Sequence, residues 1–122
     1  MRHIFFFLLI VMLSPISWGA DFDKGFSAYQ KGDHATALRE LTPLAEQGYV
    51  PAQFNLGLMY LVGKGVIQDP VYSHIWANIA ASNGAEKGGE FRESVAGLLT
   101  PQQLERARQL ARECVAKDYK GC

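Results

Sequence analysis

Two similar helix ends, 36 residues apart, most strongly limit how this chain can fold. The stretches PLAEQGYVPA (residues 43–52) and NIAASNGAEKG (residues 78–88) both place a glycine shortly after an alanine, and these glycines are Gly48 and Gly84. Glycine is common just past a helix end because it adopts the left-handed conformation at little cost. Self-similarity at this period is typical of stacked helical hairpins. The sequence therefore predicts an all-α fold built from pairs of antiparallel helices.

The segment between the two glycines contains the signals for one complete hairpin. Pro51 suits the first turn of a helix, where a missing N–H costs nothing, and we expect this helix to run to about Val62. The stretch GKGV then turns the chain, and Asp69 is expected to cap a second helix that begins at Pro70. A glycine inside the first helix, Gly57, costs helix stability, and we expect close approach of a partner helix to compensate for it.

Similar signals on both sides of this unit predict one further hairpin before it and one after it. Helical spacing of Phe22, Phe26 and Tyr29 predicts a first helix, and Asp33 is expected to cap a second. Downstream, we expect a fifth helix over residues 86–99 and a sixth from Thr100 onward. Six helices make three hairpins, which is about the minimum for a stable repeat array. The predicted architecture is an α-solenoid of three antiparallel hairpins.

The first 20 residues have the features of a secretory signal peptide. A short basic start precedes ten apolar residues, Ile4 to Leu13, and a small-residue stretch follows. Ten residues are too few to span a membrane, and no later segment is apolar enough to do so. We expect cleavage after Gly19 or Ala20, with an uncleaved anchor as the alternative. The predicted domains are the signal peptide (1–20), a helical repeat domain (21–118) and a C-terminal tail (119–122), in the periplasm or outside the cell.

The charge balance gives no reason to expect a nucleic-acid partner. The chain has 12 basic and 12 acidic residues, and removal of the signal peptide takes away Arg2, leaving 11 basic and 12 acidic residues and a net charge of −1. Binding to nucleic acid normally relies on a positive surface. The composition thus excludes a simple electrostatic DNA- or RNA-binding role.

Several short stretches within residues 49–84 form a recognisable pattern. They are AQFNLGLMY, GKGV, QD, Trp76 and an alanine pair, and AEQG lies at the edge of the unit. This pattern resembles the Sel1-like repeat, a relative of the tetratricopeptide repeat, and with its leader the chain is similar to short secreted bacterial members of that family. The resemblance covers roughly residues 24–116, with one well-formed repeat. It departs from the family at Pro70, Ser73 and His74. It implies an α-solenoid that acts as a protein-interaction scaffold.

The resemblance also implies where a partner would bind. In tetratricopeptide-like stacks the first helix of each hairpin lines the concave face, so the positions similar to groove positions are on the helix from Pro51 to Val62. We expect either that these residues form an apolar strip for a protein or peptide, or that the first helix covers them with Phe22, Phe26 and Tyr29. The candidate binding residues are Phe54, Asn55, Leu58, Leu61 and Val62. The side chains expected in the core are Leu56, Met59, Tyr60, Ile75, Trp76 and Ile79.

No converging set of catalytic groups can be assembled from the sequence. His34 and His74 are on different hairpins, and neither has a His or Cys partner at the spacing of a helical metal site. We therefore expect no enzymatic activity, cofactor or metal. The alternative function is binding, or less readily hydrolysis, of cell-wall fragments or β-lactams, with which some cysteine-rich Sel1-like proteins are linked. This chain lacks the cysteine pair within each repeat that marks that group.

Cys114 and Cys122 are the only two cysteines. In an oxidising compartment, a pair near one end of the chain suggests a disulfide. A helix continuing through both would hold their Cα atoms about 12 Å apart, beyond disulfide reach, so the bridge requires the chain to turn back after about Lys117. Two free thiols or an intermolecular link are the alternatives.

Overall fold

The computed structural model describes residues 19–122, and six helices follow one another along this range. No strand occurs in this part of the chain, so the predicted all-α architecture is confirmed. Residues 1–18, and with them most of the predicted signal peptide, lie outside the described residues. The helices are α1 (Phe22–Lys31), α2 (His34–Glu46), α3 (Val50–Val62), α4 (Pro70–Ser82), α5 (Gly88–Ala96) and α6 (Pro101–Ala116).

Polar caps begin three of the helices where the sequence predicts them. The side chain of Asp33 accepts a hydrogen bond from the Thr36 amide at 3.3 Å, and Asp69 accepts from the amides of the first turn of α4. Thr100 and Gln103 form a reciprocal capping box at the start of α6. Each cap satisfies amides that have no partner inside the helix.

Gly48 and Gly84, the two glycines that mark the repeat, have the same backbone conformation. Gly48 has φ 91° and Gly84 has φ 96°, and both lie just past a helix end. This is the left-handed region, which residues with a β-carbon adopt only with strain. The glycine spacing thus identifies the ends of α2 and α4 correctly.

The helices pack around one core, but α5 and α6 are not packed side by side as the helices of the first two predicted hairpins are. α1 packs on α2, α2 on α3 and α3 on α4, while both α5 and α6 pack on α4. The predicted core residues Leu56, Met59, Ile75, Trp76 and Ile79 are at most 3% exposed, and Tyr60 packs against them while partly exposed. Burial of these side chains supplies the main free energy that holds the stack together. Other members of this core are Ala28, Ala37, Leu41, Ala45, Ala52, Ala107, Ala111 and Cys114.

The fifth helix is shorter than the sequence predicts, because it begins at Gly88 instead of residue 86 and ends at Ala96. Gly88 lies against α4, where an added β-carbon would be 2.7 Å from the Ala81 Cα atom. Lys87 provides no side-chain cap, and Gly97 ends the helix. The approach of α5 to α4 therefore fixes where α5 starts.

Candidate binding face on the third helix

The third helix is apolar on nearly all sides, and its two faces have different environments. Ala52, Leu56 and Met59 point into the core and are at most 2% exposed. At 100° per residue, the five candidate binding residues fall within about 120° of one another, on an arc whose edge at Asn55 is about 40° from Met59. We call this set the α3 face: Phe54, Asn55, Leu58, Leu61 and Val62.

The residues of the α3 face differ in how accessible they are. Val62 is 50% exposed, and the side chains of Phe54, Leu58 and Leu61 are half-buried. Asn55 is only 7% exposed, and its Nδ2 atom donates a hydrogen bond to the Pro51 carbonyl at 2.8 Å within the same helix. The amide of Asn55 is therefore engaged by its own helix, and the accessible part of the face is apolar.

One aromatic ring lies on the edge of the α3 face. The rings of Phe54 and Phe91 have centroids 5.0 Å apart, and Phe91 belongs to α5. A β-carbon on Gly57 would be 2.8 Å from the Phe91 Cε2 atom and 3.4 Å from the Ala77 amide nitrogen. Gly57 thus allows close packing, as the sequence predicts, but its nearest neighbour is a side chain of α5.

The aromatic residues of the first helix lie elsewhere. Phe22 stacks on Phe26 at 5.7 Å and meets Tyr49 edge-on at 5.3 Å, while the ring of Tyr29 is 6.3 Å from that of His34. None of these ring contacts reaches Phe54, whose ring lies against Phe91 of α5. Cover of the remaining candidate residues by the first helix stays a prediction.

A shallow cleft of about 220 Å³ opens beside the α3 face. Its walls come from the start of α3 and from the turn that precedes α5. The residues that line it are Val50, Pro51, Phe54, Asn55, Ala85 and Glu86. A largely apolar floor with one carboxylate at the rim can accept an apolar side chain of a peptide.

The C-terminal residues fold back onto the body of the protein. α6 ends at Ala116, and Asp118 and Tyr119 then adopt left-handed conformations with φ 54° and 64°. The turn brings Cys122 back to Cys114, with Cα atoms 5.5 Å apart, and the two are joined by a disulfide.

Beyond the disulfide, the returning segment reaches the other hairpins. The Nζ atom of Lys120 donates to the Glu46 carbonyl at 2.8 Å, and Asn83 Nδ2 donates to the Tyr119 hydroxyl at 3.1 Å. Asn83 also donates to Gln53 Oε1, and Gln53 in turn donates to the Ala45 carbonyl. These contacts tie residues 119–122, which the sequence assigns to a tail, to the ends of α2 and α4. No signal in the sequence marks Tyr119 or Lys120, since their partners are far away along the chain.

The two histidines lie on separate helices, as expected. His74 is only 2% exposed, and burial is the main cause that lowers its pKa, followed by the nearby Arg108 and Arg92. Ser73 beside it donates its hydroxyl to the Gly57 carbonyl at 2.8 Å and so is not hydrogen-bonded to His74.

Burial also shifts the pKa of a tyrosine in the core: it raises the pKa of Tyr60, whose ring stacks on Tyr72. Across residues 19–122, no three His, Cys, Asp or Glu side chains converge as a metal site.

The fold defines a class of protein: helical hairpins stacked in sequence, with an apolar face on the first helix of the central pair. The family model for the Sel1 repeat matches residues 50–84, which span α3, α4 and the turn after α4. The α3–α4 hairpin is thus matched as a Sel1 repeat. No solved structure shows a significant match to it.

Two curated relatives share part of their length with this chain. The "Alginate biosynthesis protein AlgK" of Pseudomonas syringae pv. tomato is 31% identical over 78 residues, which cover 63% of this chain and 17% of the relative. The "Exopolysaccharide production negative regulator" of Rhizobium leguminosarum bv. viciae is 30% identical over 109 residues, covering 73% of this chain and 39% of the relative. The chain thus matches less than half of either relative.

Proposed function

We propose that this protein is an exported, non-catalytic scaffold that binds a protein or peptide through the α3 face. The observation that carries the proposal is the accessible apolar surface of α3. Val62 is half exposed, and Leu58 and Leu61 are only partly covered, although α3 is the first helix of the Sel1 repeat itself. Sel1 repeats typically bind proteins, and an exposed apolar strip on a helix suits a peptide or a partner helix.

The neighbouring cleft supports a peptide as the ligand. It continues the α3 face at Phe54, and Glu86 at its rim offers a carboxylate to a basic or amide group. An apolar anchor with a few polar contacts around it is the usual arrangement of a peptide site. We propose that one apolar side chain of the partner enters this cleft while neighbouring residues lie along Leu58 and Val62.

Export is supported by two features of the chain. The N-terminal residues have the pattern of a signal peptide, and the two cysteines lie where they form a disulfide, which persists mainly in oxidising compartments. Within the described range, none of the helices is both long enough and apolar enough to cross a bilayer. We propose the periplasm or the cell exterior as the location.

The process that the scaffold serves is proposed from its relatives. The names of both relatives refer to polysaccharide production, one to alginate biosynthesis and one to negative regulation of exopolysaccharide production. We propose that this chain binds a component of an exopolysaccharide assembly or of its regulation. Trp76 is 3% exposed, so its ring is not accessible for stacking on a sugar, and this favours a protein over a glycan as the direct ligand.

The test is partner capture from a periplasmic extract with the purified domain, compared with Leu58→Glu and Leu61→Glu. A charge in the apolar strip is expected to abolish capture because the partner would have to bury it. Leu98→Glu is the matched control, since Leu98 is 63% exposed on the turn between α5 and α6. Equal capture by folded Leu58→Glu and wild type would move the site away from α3.

A separate assay tests the non-catalytic role. Turnover of cell-wall fragments or a β-lactam reporter by the same preparation would contradict this role.

A further inference from the structure

A second, polar cleft of about 230 Å³ lies among α4, α5 and α6, and it has no part in the proposed scaffold function. This space is large enough for several water molecules or for a small ligand. Two guanidinium groups and one carboxylate are among its walls. We call it the arginine cleft: His74, Asn78, Arg92, Glu93, Ala96 and Arg108.

His74 is the exception among the buried polar side chains. In residues 19–122 four polar side chains are buried, and three of them are hydrogen-bonded: Gln53 to the Ala45 carbonyl, Asn55 to that of Pro51 and Ser73 to that of Gly57. His74 is 2% exposed, and its Nδ1 atom is buried without a partner. His74 is also among the residues that line the arginine cleft, so a group bound there would lie beside its ring.

The charges around the cleft favour an anion. Arg92 donates from Nε to Glu93 at 3.1 Å and from Nη1 to Asn78 Oδ1 at 3.4 Å, which leaves further N–H groups on its guanidinium. Within the described residues Arg108 makes no ion pair. Arg108 and Arg92 both lower the pKa of His74, and Glu93 only partly opposes them, so the buried ring lies in a positive potential. The third helix that packs on α4 is α3, and it carries no charged residue.

We propose that the arginine cleft binds a small oxyanion, a carboxylate or phosphate group, between the guanidinium groups of Arg92 and Arg108, with the His74 ring against it. Guanidinium groups bind both kinds of anion through paired N–H donors. Asn78, whose Oδ1 accepts from Arg92, keeps its Nδ2 donors for the same ligand. Glu93 competes with the anion for Arg92, so binding displaces the Arg92–Glu93 pair.

The experiment follows the His74 ring and the arginine side chains by NMR while sodium glucuronate, sodium phosphate or glucose is added at constant ionic strength. We expect chemical shifts that saturate as glucuronate or phosphate is added. Tighter binding of glucuronate identifies the ligand group as a carboxylate, and tighter binding of phosphate identifies it as a phosphate. The anion offsets the two positive neighbours, so it raises the pKa of His74, which is read from the ring proton shifts in a pH titration.

Variants separate this site from general attraction of anions. Arg108→Gln is expected to weaken binding at least tenfold, because it removes a charge-assisted contact. Glu93→Gln is expected to tighten binding, because it removes the competing carboxylate. Arg106→Gln is the matched control, since Arg106 is exposed on the opposite side of α6 and outside the cleft. The absence of saturable shifts, equal shifts with glucose, or unchanged binding in Arg108→Gln would each overturn the proposal.

Discussion

The ring of Phe91 occupies the space next to Gly57, with its Cε2 atom 2.8 Å from where a β-carbon of residue 57 would lie. The contact joins the third hairpin to the Sel1 repeat, because Phe91 is on α5 and Gly57 is in the middle of α3. The same ring lies against Phe54 on the edge of the α3 face. This pair therefore links the packing of the hairpins to the proposed binding surface.

We expect Gly57→Ala to destabilise the protein by about 1 kcal/mol. Replacing a glycine inside a helix gains about 1 kcal/mol of helix propensity, but forcing an extra methyl group into a packed contact typically costs about 1–3 kcal/mol. Urea unfolding measures the difference. In a Phe91→Leu background, where the contact is relieved, the same substitution is expected to be neutral or stabilising.

Gly89→Ala is the matched control for Gly57→Ala. Gly89 is also in a helix, but the nearest atom to its added β-carbon would be a side-chain nitrogen of Arg92 at 3.9 Å. This variant is expected to be unchanged or slightly more stable. If Gly57→Ala matched it, the close contact with Phe91 would carry no energetic weight.

The disulfide is expected to hold the C-terminal segment against the other hairpins. Closing a loop of 8 residues restricts the unfolded chain by about 2.5 kcal/mol on the chain-entropy model. Cys122→Ser should therefore lower the free energy of unfolding by about this amount, measured in urea, and Cys122 is the better choice because Cys114 is only 1% exposed. A reductant should destabilise the wild type to the same level and leave Cys122→Ser unchanged. Equal stability of the variant and the oxidised wild type would contradict the expectation.

The lowered pKa of His74 makes stability depend on pH in a defined direction. The ordinary pKa of histidine is 6.5, and burial together with Arg108 and Arg92 lowers it in the folded state. Between the lowered value and 6.5, the unfolded chain binds a proton that the folded chain does not, so stability falls as the pH falls through this range. Above it, His74 makes no contribution to the pH dependence. Urea unfolding at pH 7.5 and at successively lower pH measures this loss.

His74→Gln removes the titrating group and is expected to flatten the pH dependence relative to the wild type. The quantity compared is the change in the free energy of unfolding between pH 7.5 and lower pH. The absolute stability of the variant at pH 7.5 is therefore not part of the comparison. An identical loss of stability on acidification in wild type and variant would show that His74 titrates alike in the folded and unfolded chains.

Export predicts the mass of the mature protein. Cleavage after Gly19 or Ala20 leaves a chain that begins at Ala20 or Asp21, and disulfide formation removes two further hydrogens. Intact-mass spectrometry of protein recovered from the periplasm or the medium checks both. A full-length, reduced chain found in the cytoplasm would contradict export.

The helices could be predicted because their signals are local. Asp33, Asp69 and Thr100 are each within a few residues of the amides they cap, and Gly48 and Gly84 act on their own backbone. Helical spacing of Phe22, Phe26 and Tyr29 likewise indicated the first helix. For this reason the fold class and most of the core follow from the sequence.

The contacts between hairpins could not be predicted because they join distant parts of the chain. Lys120 and Glu46 are separated by 74 positions, and Phe91 reaches Phe54 from another hairpin. Nothing in the local sequence distinguishes a Phe that covers α3 from one that lies beside Tyr49, as Phe22 does. The burial of His74 could not be predicted for the same reason, since α5 and α6 both pack on α4.

Site-specific photocrosslinking in the native cell tests the central claim most directly, that a protein partner binds along the α3 face. A photoreactive amino acid is placed at Leu58, at Leu61 or, as controls, at Leu98 and at Ile67, which is 90% exposed on the turn between α3 and α4. We expect a discrete adduct with one protein from positions 58 and 61, and none from 67 or 98. Adducts from positions 67 or 98 but not from 58 or 61 would place the partner on another surface and contradict it.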